Sequence, residues 1–183
     1  MKKHVLFIQG GGDDGYEADA KLVASLQSAL GSAYDVNYPQ MQTDENAPDF
    51  GWLKQIGKEI ARIKGDVILA GHSLGASLLL KYLSENQVQK KISGIFLIAT
   101  PFWTGDEDWM KGLKLRKGFA QKLPKSIPIF LYHCRDDEEV PFAHLASYVE
   151  KLPHASVHKI KSGGHQFNND LKFVAKDIKK LAV

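Results

Sequence analysis

The pentapeptide Gly71-His72-Ser73-Leu74-Gly75 has residue types and spacing that could carry chemistry, because it fits the pattern G-x-S-x-G. It follows the apolar run Val67 to Ala70 and precedes a segment of helical period that begins at Leu74. A strand, a sharp turn and a helix in that order lift a serine hydroxyl clear of a sheet. Glycines two residues before and after the serine let the crowded backbones approach each other. We therefore interpret Ser73 as a nucleophile, with an ordinary glycine-rich turn as the alternative.

A serine hydroxyl is a poor nucleophile until a base removes its proton. Seven histidines are available, and His165 is the candidate base. It follows Ser162-Gly163-Gly164, between the last predicted strand and the last predicted helix. A loop histidine by itself is more often an exposed side chain than a base. Its position after a final strand, downstream of Ser73 in the chain, favours the role of base.

The base needs an acid that fixes its tautomer and stabilises its cation. Four carboxylates follow the fifth predicted strand, in the stretch Asp136-Asp137-Glu138-Glu139. Such a cluster by itself is usually a solvated loop. The chain order serine, aspartate, histidine is the order used on a strand–turn–helix serine scaffold. We predict that Asp137 is the acid, with Asp136 as the alternative.

Acyl transfer also needs hydrogen-bond donors aimed at the oxyanion of the tetrahedral intermediate. The backbone N–H of Leu74, next after the nucleophile, is one candidate. The second is expected from the loop after the first strand, Gln9-Gly10-Gly11-Gly12. A glycine-rich loop in that place could instead bind phosphate, but its spacing fits neither common phosphate-binding motif.

Three further side chains have two interpretations each. The single cysteine, Cys134, excludes an internal disulfide and a thiolate cluster for a metal, and it is either a nucleophile paired with His133 or a buried apolar residue. Trp103 and Trp109 either line an acyl pocket or pack the irregular segment 100–125 that contains them. We predict no metal and no organic cofactor.

Six short apolar runs alternate with segments of helical period, which implies parallel strands, right-handed crossovers and a three-layer α/β sandwich. We predict one domain over residues 1–183, with segment 100–125 as a lid-like insertion. The predicted strands are Val5–Ile8, Tyr34–Tyr38, Asp66–Ala70, Ile92–Ala99, Ile127–His133 and Ala155–Ile160. Helices are predicted from Ala20 to a stop at Gly31, after an Asp49 cap, over Leu74–Leu83, from Pro141 and over Phe167–Leu181.

The charge balance bears on partners and location. With 24 basic and 21 acidic residues, the net charge of +3 is too small to indicate nucleic acid or an anionic membrane as a partner. The basic residues between Lys111 and Lys125 are interpreted as a solvated face, with an acidic partner or substrate as the alternative. The start lacks a cleavage-like site and no run approaches ~20 apolar residues, so we expect a soluble, cytoplasmic protein.

The order of the serine pentapeptide, then His133-x-x-x-Asp137-x-x-Val140-Pro141, then Gly-Gly-His165 resembles the α/β-hydrolase superfamily. The short chain without a large cap is similar to the small serine hydrolases of the YdeN-like and retinoblastoma-binding-protein-9-like group. The resemblance implies an α/β-hydrolase fold with a minimal cap, the triad of Ser73, Asp137 and His165, and oxyanion donors at Leu74 and Gly11. Two positions depart from the family pattern. Gln9 stands where a histidine is usual, and Cys134 stands where a glycine is usual.

These residues together predict a carboxylesterase-like serine hydrolase that cleaves a small-molecule ester, thioester or amide through an acyl-enzyme intermediate. Two alternatives stay open at this stage. One is an interaction module on the same fold with an unused triad, because a fold does not guarantee activity. The other is an acyltransferase that passes the acyl group to an acceptor other than water.

Overall fold

A single parallel sheet of six strands organises the chain, and the computed structural model describes residues 2–181 of it. The strands are hydrogen-bonded in the order β2-β1-β3-β4-β5-β6, and every neighbouring pair is parallel. The carboxyl ends of all six strands therefore meet at one edge of the sheet. The strands are β1 (Lys3–Ile8), β2 (Tyr34–Asn37), β3 (Val67–His72), β4 (Ile92–Ile98), β5 (Ile129–Cys134) and β6 (Ser156–Ile160).

Helices cover both faces of the sheet, which is why the central strands are continuous apolar runs rather than alternating ones. Every residue of β3 is buried. On one face α1 and α6 pack together over a core that includes Phe7 and Phe96. On the other face α2, α3, α4 and α5 contribute to a core that includes Leu69 and Leu97. The helices are α1 (Gly15–Leu30), α2 (Trp52–Arg62), α3 (Ser73–Glu85), α4 (Phe119–Lys122), α5 (Ala143–Lys151) and α6 (Lys172–Lys180).

The predicted three-layer sandwich is confirmed, but three helix starts are wrong. The first helix, α1, begins at Gly15 rather than Ala20. The N-cap of α2 is Gly51, with φ of 70°, rather than Asp49. The Asp49 carboxylate instead accepts the N–H of Gly51 at 3.1 Å, in the turn that leads into α2. The final helix begins at Lys172 rather than Phe167, because residues 167–169 form a 3₁₀ turn whose φ values are all positive. Asparagine tolerates that conformation better than most residues do.

Segment 100–125 lies against the outer face of α3. It holds a 3₁₀ turn at Asp108–Met110 and the short α4. The segment's own side chains Leu113 and Phe119 are buried. Lys81 of α3 donates to the carbonyl of Lys114 at 2.8 Å, so α3 and this segment are also joined by a polar contact. Among residues 2–181, no helix has the length and apolar character needed to cross a membrane.

Gly75 sets the distance between α3 and β1. A Cβ built on Gly75 would lie 2.1 Å from the carbonyl oxygen of Gln9, which is backbone and does not move easily. Gly65 has φ of 77°, but a Cβ there would meet nothing within 4 Å. We expect Gly75→Ala to lower the free energy of unfolding by about 3 kcal/mol or more, since overpacking costs about 1–3 kcal/mol even where side chains can yield.

The matched control is Gly65→Ala, which carries only the left-handed backbone penalty of about 1–2 kcal/mol. Urea denaturation of both variants and the wild type measures the two costs. Equal losses in the two variants would contradict the importance of the close approach at Gly75.

Candidate active site

Ser73 lies at the junction of β3 and α3, with a strained backbone. Its φ is 50°, in the left-handed region that costs a residue with a side chain about 1–2 kcal/mol. A Cβ on Gly71 would lie 2.8 Å from the Cα of Ala76, so this turn excludes side chains on its inner side. Ser73 is also the first residue of the 13-residue helix α3. The positive end of the helix dipole therefore lies at the serine, where it favours a developing anion.

Asp137 and His165 are paired at the carboxyl ends of β5 and β6. Nδ1 of His165 lies 3.0 Å from both carboxylate oxygens of Asp137. The Asp137 side chain is fully buried, and its Oδ1 also accepts the N–H of Val140 at 2.8 Å. Burial by itself raises the pKa of Asp137, but hydrogen bonds from His133, His165 and Val140 outweigh it and hold the pKa far below its usual value. Asp137 is thus a carboxylate that fixes the His165 ring.

The neighbouring carboxylates hold the backbone of residues 161–166, the His165 loop. Asp136 accepts the N–H groups of Gly163 and Gly164, each at 3.0 Å, and it makes no contact with the His165 ring among the described side chains. Glu138 accepts the backbone N–H of His165 at 3.0 Å. Asp136, the alternative acid, is therefore placed on the loop backbone instead. The sequence did not distinguish this arrangement from a solvated acidic loop.

The loop between β1 and α1, residues 9–14, packs against the first turn of α3. A Cβ on Gly10 would lie 3.5 Å from the Cβ of Ser73, and one on Gly11 would lie 2.7 Å from Cδ2 of Leu74. The two predicted oxyanion donors, Gly11 and Leu74, are thus adjacent. Both line a cavity of about 450 Å³ whose wall also includes Tyr16, Met41, Phe50 and Trp52.

A strained serine, a histidine–carboxylate pair and a glycine-rich loop lie at one edge of the sheet. A family model described as "Serine hydrolase" matches residues 18–176. The chain belongs to the serine hydrolase family. A sequence search of curated proteins finds no match.

Solved structures share the fold of this serine hydrolase at low sequence identity. SOBER1 from Arabidopsis thaliana has a TM-score of 0.70 and 18% identity, covering 98% of this chain and 99% of that one. A hydrolase described as YdeN-like, from Pectobacterium atrosepticum, has a TM-score of 0.64 and 17% identity over 99% of this chain and 90% of its own. Est1E from Butyrivibrio proteoclasticus has a TM-score of 0.68 and 16% identity over 98% and 86%. The expected α/β-hydrolase fold is confirmed.

Gln9, which departs from the usual family residue, anchors a second loop in this serine hydrolase. Its Oε1 accepts the N–H of Met41 at 2.8 Å, and its Nε2 lies 3.4 Å from the carbonyl oxygen of Gly10. The side chain is buried. Gln9 therefore joins the wall of the cavity at Met41 to the loop that carries Gly11.

Trp103 and Trp109 lie outside the lining of the cavity beside Leu74. Nε1 of Trp103 donates to Oγ of Ser77 on α3 at 3.1 Å, and the two indole rings meet edge to face at 5.5 Å. Trp109 is 55% exposed. Both rings thus help to pack segment 100–125 on α3, and their role in binding an acyl group stays a prediction.

Cys134 is a fully buried residue, as expected for the apolar alternative. Burial, followed by the charges of Asp136, Asp137 and Glu138, raises the pKa of its thiol to about 12. The ring of His133 faces the carbonyl of Val140 at 2.9 Å instead of forming a thiolate pair. Within residues 2–181 no group of three or more histidine, cysteine or acidic side chains has a metal-binding arrangement.

Two residues beside the site were missed by the sequence analysis. Asp19 and His72 form a fully buried hydrogen-bonded pair, with His72 Nδ1 2.9 Å from a carboxylate oxygen of Asp19. The signal was present in α1, whose buried stripe of Gly15, Asp19, Leu22, Val23, Leu26 and Leu30 contains a carboxylate among apolar side chains. A buried charge needs a partner, and His72 directly precedes the serine.

Because Ser73 has a left-handed backbone conformation, we expect a glycine at this position to be less strained than a residue with a side chain. Glycine relieves the left-handed penalty of about 1–2 kcal/mol but adds about 0.5–1 kcal/mol of unfolded-state entropy. Alanine keeps the penalty. We therefore expect Ser73→Gly to be more stable than Ser73→Ala by up to about 1 kcal/mol in urea denaturation. An alanine variant as stable as the glycine variant would argue against strain at this turn.

The lowered pKa of Asp137 predicts how stability depends on pH. A carboxyl whose folded pKa lies below its ordinary value of 3.8 stabilises the fold above that pH, and this contribution is lost as the pH falls further. We expect Asp137→Asn to be less stable than the wild type at pH 7, and the difference to narrow progressively as the pH falls below about 4. The control is Asp106→Asn, at a fully exposed carboxylate. If the stability difference between Asp137→Asn and the wild type does not change with pH, Asp137 does not have a lowered pKa in the folded protein.

Proposed function

We propose that this serine hydrolase is a carboxylesterase-like enzyme that forms an acyl-enzyme on Ser73. The observation that carries the proposal is the hydrogen-bonded pair of His165 and Asp137 at the sheet edge where Ser73 stands on its strained turn. A base held by a buried carboxylate, beside a serine lifted from the sheet, is the arrangement that activates a hydroxyl.

In the first step, Ser73 Oγ attacks the substrate carbonyl while Nε2 of His165 takes the hydroxyl proton. Asp137 holds Nδ1–H of the ring and stabilises the imidazolium that forms. The N–H groups of Gly11 and Leu74 donate to the new oxyanion, and each such donor contributes about 3–4 kcal/mol to catalysis in comparable sites. The dipole of α3 favours the same negative charge.

In the second step, His165 gives its proton to the leaving group, which departs with the electron pair of the broken bond. His165 then takes a proton from water, whose oxygen attacks the acyl carbonyl. The bond between the acyl carbon and Ser73 Oγ breaks, Oγ keeps its electron pair and takes the proton back from His165, and the acid is released. An acceptor alcohol or amine in place of that water would make the enzyme an acyltransferase.

The cavity beside Gly11 and Leu74 supports a substrate of modest size. Its volume of about 450 Å³ falls in the range of small-molecule sites. Its wall combines the rings of Tyr16 and Phe50 with the polar side chains of Gln42 and Thr43. Est1E, which shares the fold, has been solved with ferulic acid bound. An aromatic ester therefore belongs in a substrate panel beside short aliphatic p-nitrophenyl esters.

The proposal predicts that a fluorophosphonate probe adds once to the wild-type protein and that Ser73→Ala takes no adduct. We expect His165→Ala to lower both the labelling rate and ester turnover by about 10⁴–10⁶-fold, and Asp137→Asn to lower them by about 10²–10⁴-fold. Intact-mass spectrometry and p-nitrophenyl ester hydrolysis are the measurements.

The control is Asp136→Asn, because Asp136 holds the loop backbone without touching the His165 ring. Its loss is expected to be smaller than that of Asp137→Asn. A folded wild-type protein without an adduct would overturn the proposal and favour an interaction module on this fold.

A further inference from the structure

The carboxylate of Asp19 is buried at the centre of three hydrogen bonds from three different parts of the chain. Only 1% of the residue is exposed. Its Oδ2 accepts the N–H of Gly10 at 2.7 Å and lies 3.0 Å from Nδ1 of His72. Its Oδ1 accepts Nε2 of Gln166 at 3.1 Å. Among the described residues, these donors account for both carboxylate oxygens.

Each of the three donors is the sequence neighbour of a residue in the proposed mechanism. Gly10 precedes the oxyanion donor Gly11, and His72 precedes the nucleophile Ser73. Gln166 follows the base. A single carboxylate on α1 thereby contacts the loop of the oxyanion hole, the nucleophile turn and the His165 loop. A small displacement of any one of them relative to the others is costly for catalysis, because reacting atoms must be held in a near-attack geometry.

The ring of His72 extends the same network to the base. Its Nε2 lies 3.0 Å from the backbone carbonyl oxygen of His165, and the two imidazole rings are 4.6 Å apart. A carbonyl oxygen only accepts hydrogen bonds, so Nε2 carries a proton. Nδ1 faces the Asp19 carboxylate, which already accepts from two other donors, so Nδ1 also carries a proton. Both ring nitrogens of His72 therefore act as donors in this arrangement, one to the Asp19 carboxylate and one to the His165 carbonyl.

The ionisation of Asp19 agrees with this geometry. Burial by itself raises the pKa of a carboxyl, yet the pKa of Asp19 lies below its usual value. The hydrogen bond and charge of His72 are the largest lowering causes, followed by the N–H of Gly10 and the amide of Gln166. A buried ion pair gains little stability over an apolar replacement of the same volume. The position of this pair beneath the site is therefore explained by the geometry that it maintains rather than by stability.

We propose that Asp19 and His72 are positioning residues, which hold the oxyanion loop, the nucleophile turn and the His165 loop in one catalytic register. This inference rests on the proposed function, since it assigns a purpose to residues around the Ser73 site. Neither side chain touches the reacting atoms. Asp19 acts through the backbone of Gly10, and His72 acts through the backbone of His165. Because His72 directly precedes Ser73, its fixed side chain also fixes the backbone that leads into the serine.

The test compares Asp19→Asn with Asp177→Asn. Asp177 is also a buried aspartate, and it contacts His158 at 3.2 Å and Tyr132 at 3.0 Å, but it lies on α6 and joins none of the three catalytic segments. Both variants lose a buried carboxylate and are expected to lose stability. At a temperature where each is fully folded, we expect Asp19→Asn to slow fluorophosphonate labelling of Ser73 at least tenfold, and Asp177→Asn to change it less than twofold.

Steady-state kinetics separate positioning from binding. With a p-nitrophenyl ester, we expect Asp19→Asn to lower kcat at least tenfold with KM changed less than threefold, because the cavity wall keeps its own residues. Labelling or kcat within twofold of the wild type in folded Asp19→Asn would overturn the inference. If Asp19→Asn does not fold, Gln166→Met removes one contact only. A threefold slower labelling rate then supports the inference, and an unchanged rate overturns it.

The donor role of both ring nitrogens of His72 has a separate signature. In the ¹⁵N-edited NMR spectrum of the wild type at pH 7, we expect His72 to show protons on both ring nitrogens, with its signals identified by their loss in His72→Gln. A single ring proton would overturn this arrangement of donors. The wild-type labelling experiment is read first. Without an adduct on wild-type Ser73 the proposed function fails, whereas normal labelling with an insensitive Asp19→Asn rejects the positioning role alone.

Discussion

The approach of α3 to the end of β1 is the constraint on which the site depends. At Gly75 the helix passes so close to the carbonyl of Gln9 that no side chain fits between them. This contact brings the first turn of α3 against the loop after β1, so that Leu74 and Gly11 become neighbours. The same turn holds Ser73 in a left-handed conformation. Close packing of two backbones thus brings the proposed nucleophile and the proposed oxyanion donors together, and the contacts of Asp19 add a polar link between their segments.

The proposed base, His165, is held by hydrogen bonds to carboxylates, whereas the strained turn of Ser73 depends on close packing. Three successive carboxylates after β5 each hold a different part of the His165 loop. Asp136 holds its glycines, Asp137 holds the imidazole and Glu138 holds the backbone N–H of His165. Asp19 then joins this loop to the serine turn from the opposite side, through Gln166 and His72. The geometry of the site therefore combines a rigid steric part with a charged part that loses strength as its carboxylates are protonated.

The parts of the fold that the sequence predicted are those with local patterns. Six apolar runs predicted six parallel strands, and the glycines around Ser73 predicted the turn because their small size is itself the structural requirement. Gly31 was predicted to stop α1, and it does so with φ of 79°. The start of α6 was wrong because the apolar residues Phe167 and Leu171 keep helical spacing although the intervening asparagines adopt left-handed angles.

The components of the site that the sequence did not reveal depend on contacts between distant segments. Chain order left Asp136 as an alternative to Asp137, because the contacts that separate their roles are made to residues 27 and 28 positions further along the chain. Asp19 lies 53 positions before His72 and 147 before Gln166. A carboxylate in the apolar stripe of α1 indicates that a partner exists, but its identity requires the fold.

The burial of Cys134 has a practical consequence for work on this molecule. Its thiol lies beneath Gly163, whose Cβ position would be 3.1 Å from the sulfur, and the raised pKa leaves almost no thiolate at neutral pH. Maleimide and iodoacetamide reagents need both access and thiolate. We therefore expect the native protein not to react with these reagents. A cysteine introduced on its surface then gives a single attachment point for a fluorophore or spin label, and Cys134 need not be removed.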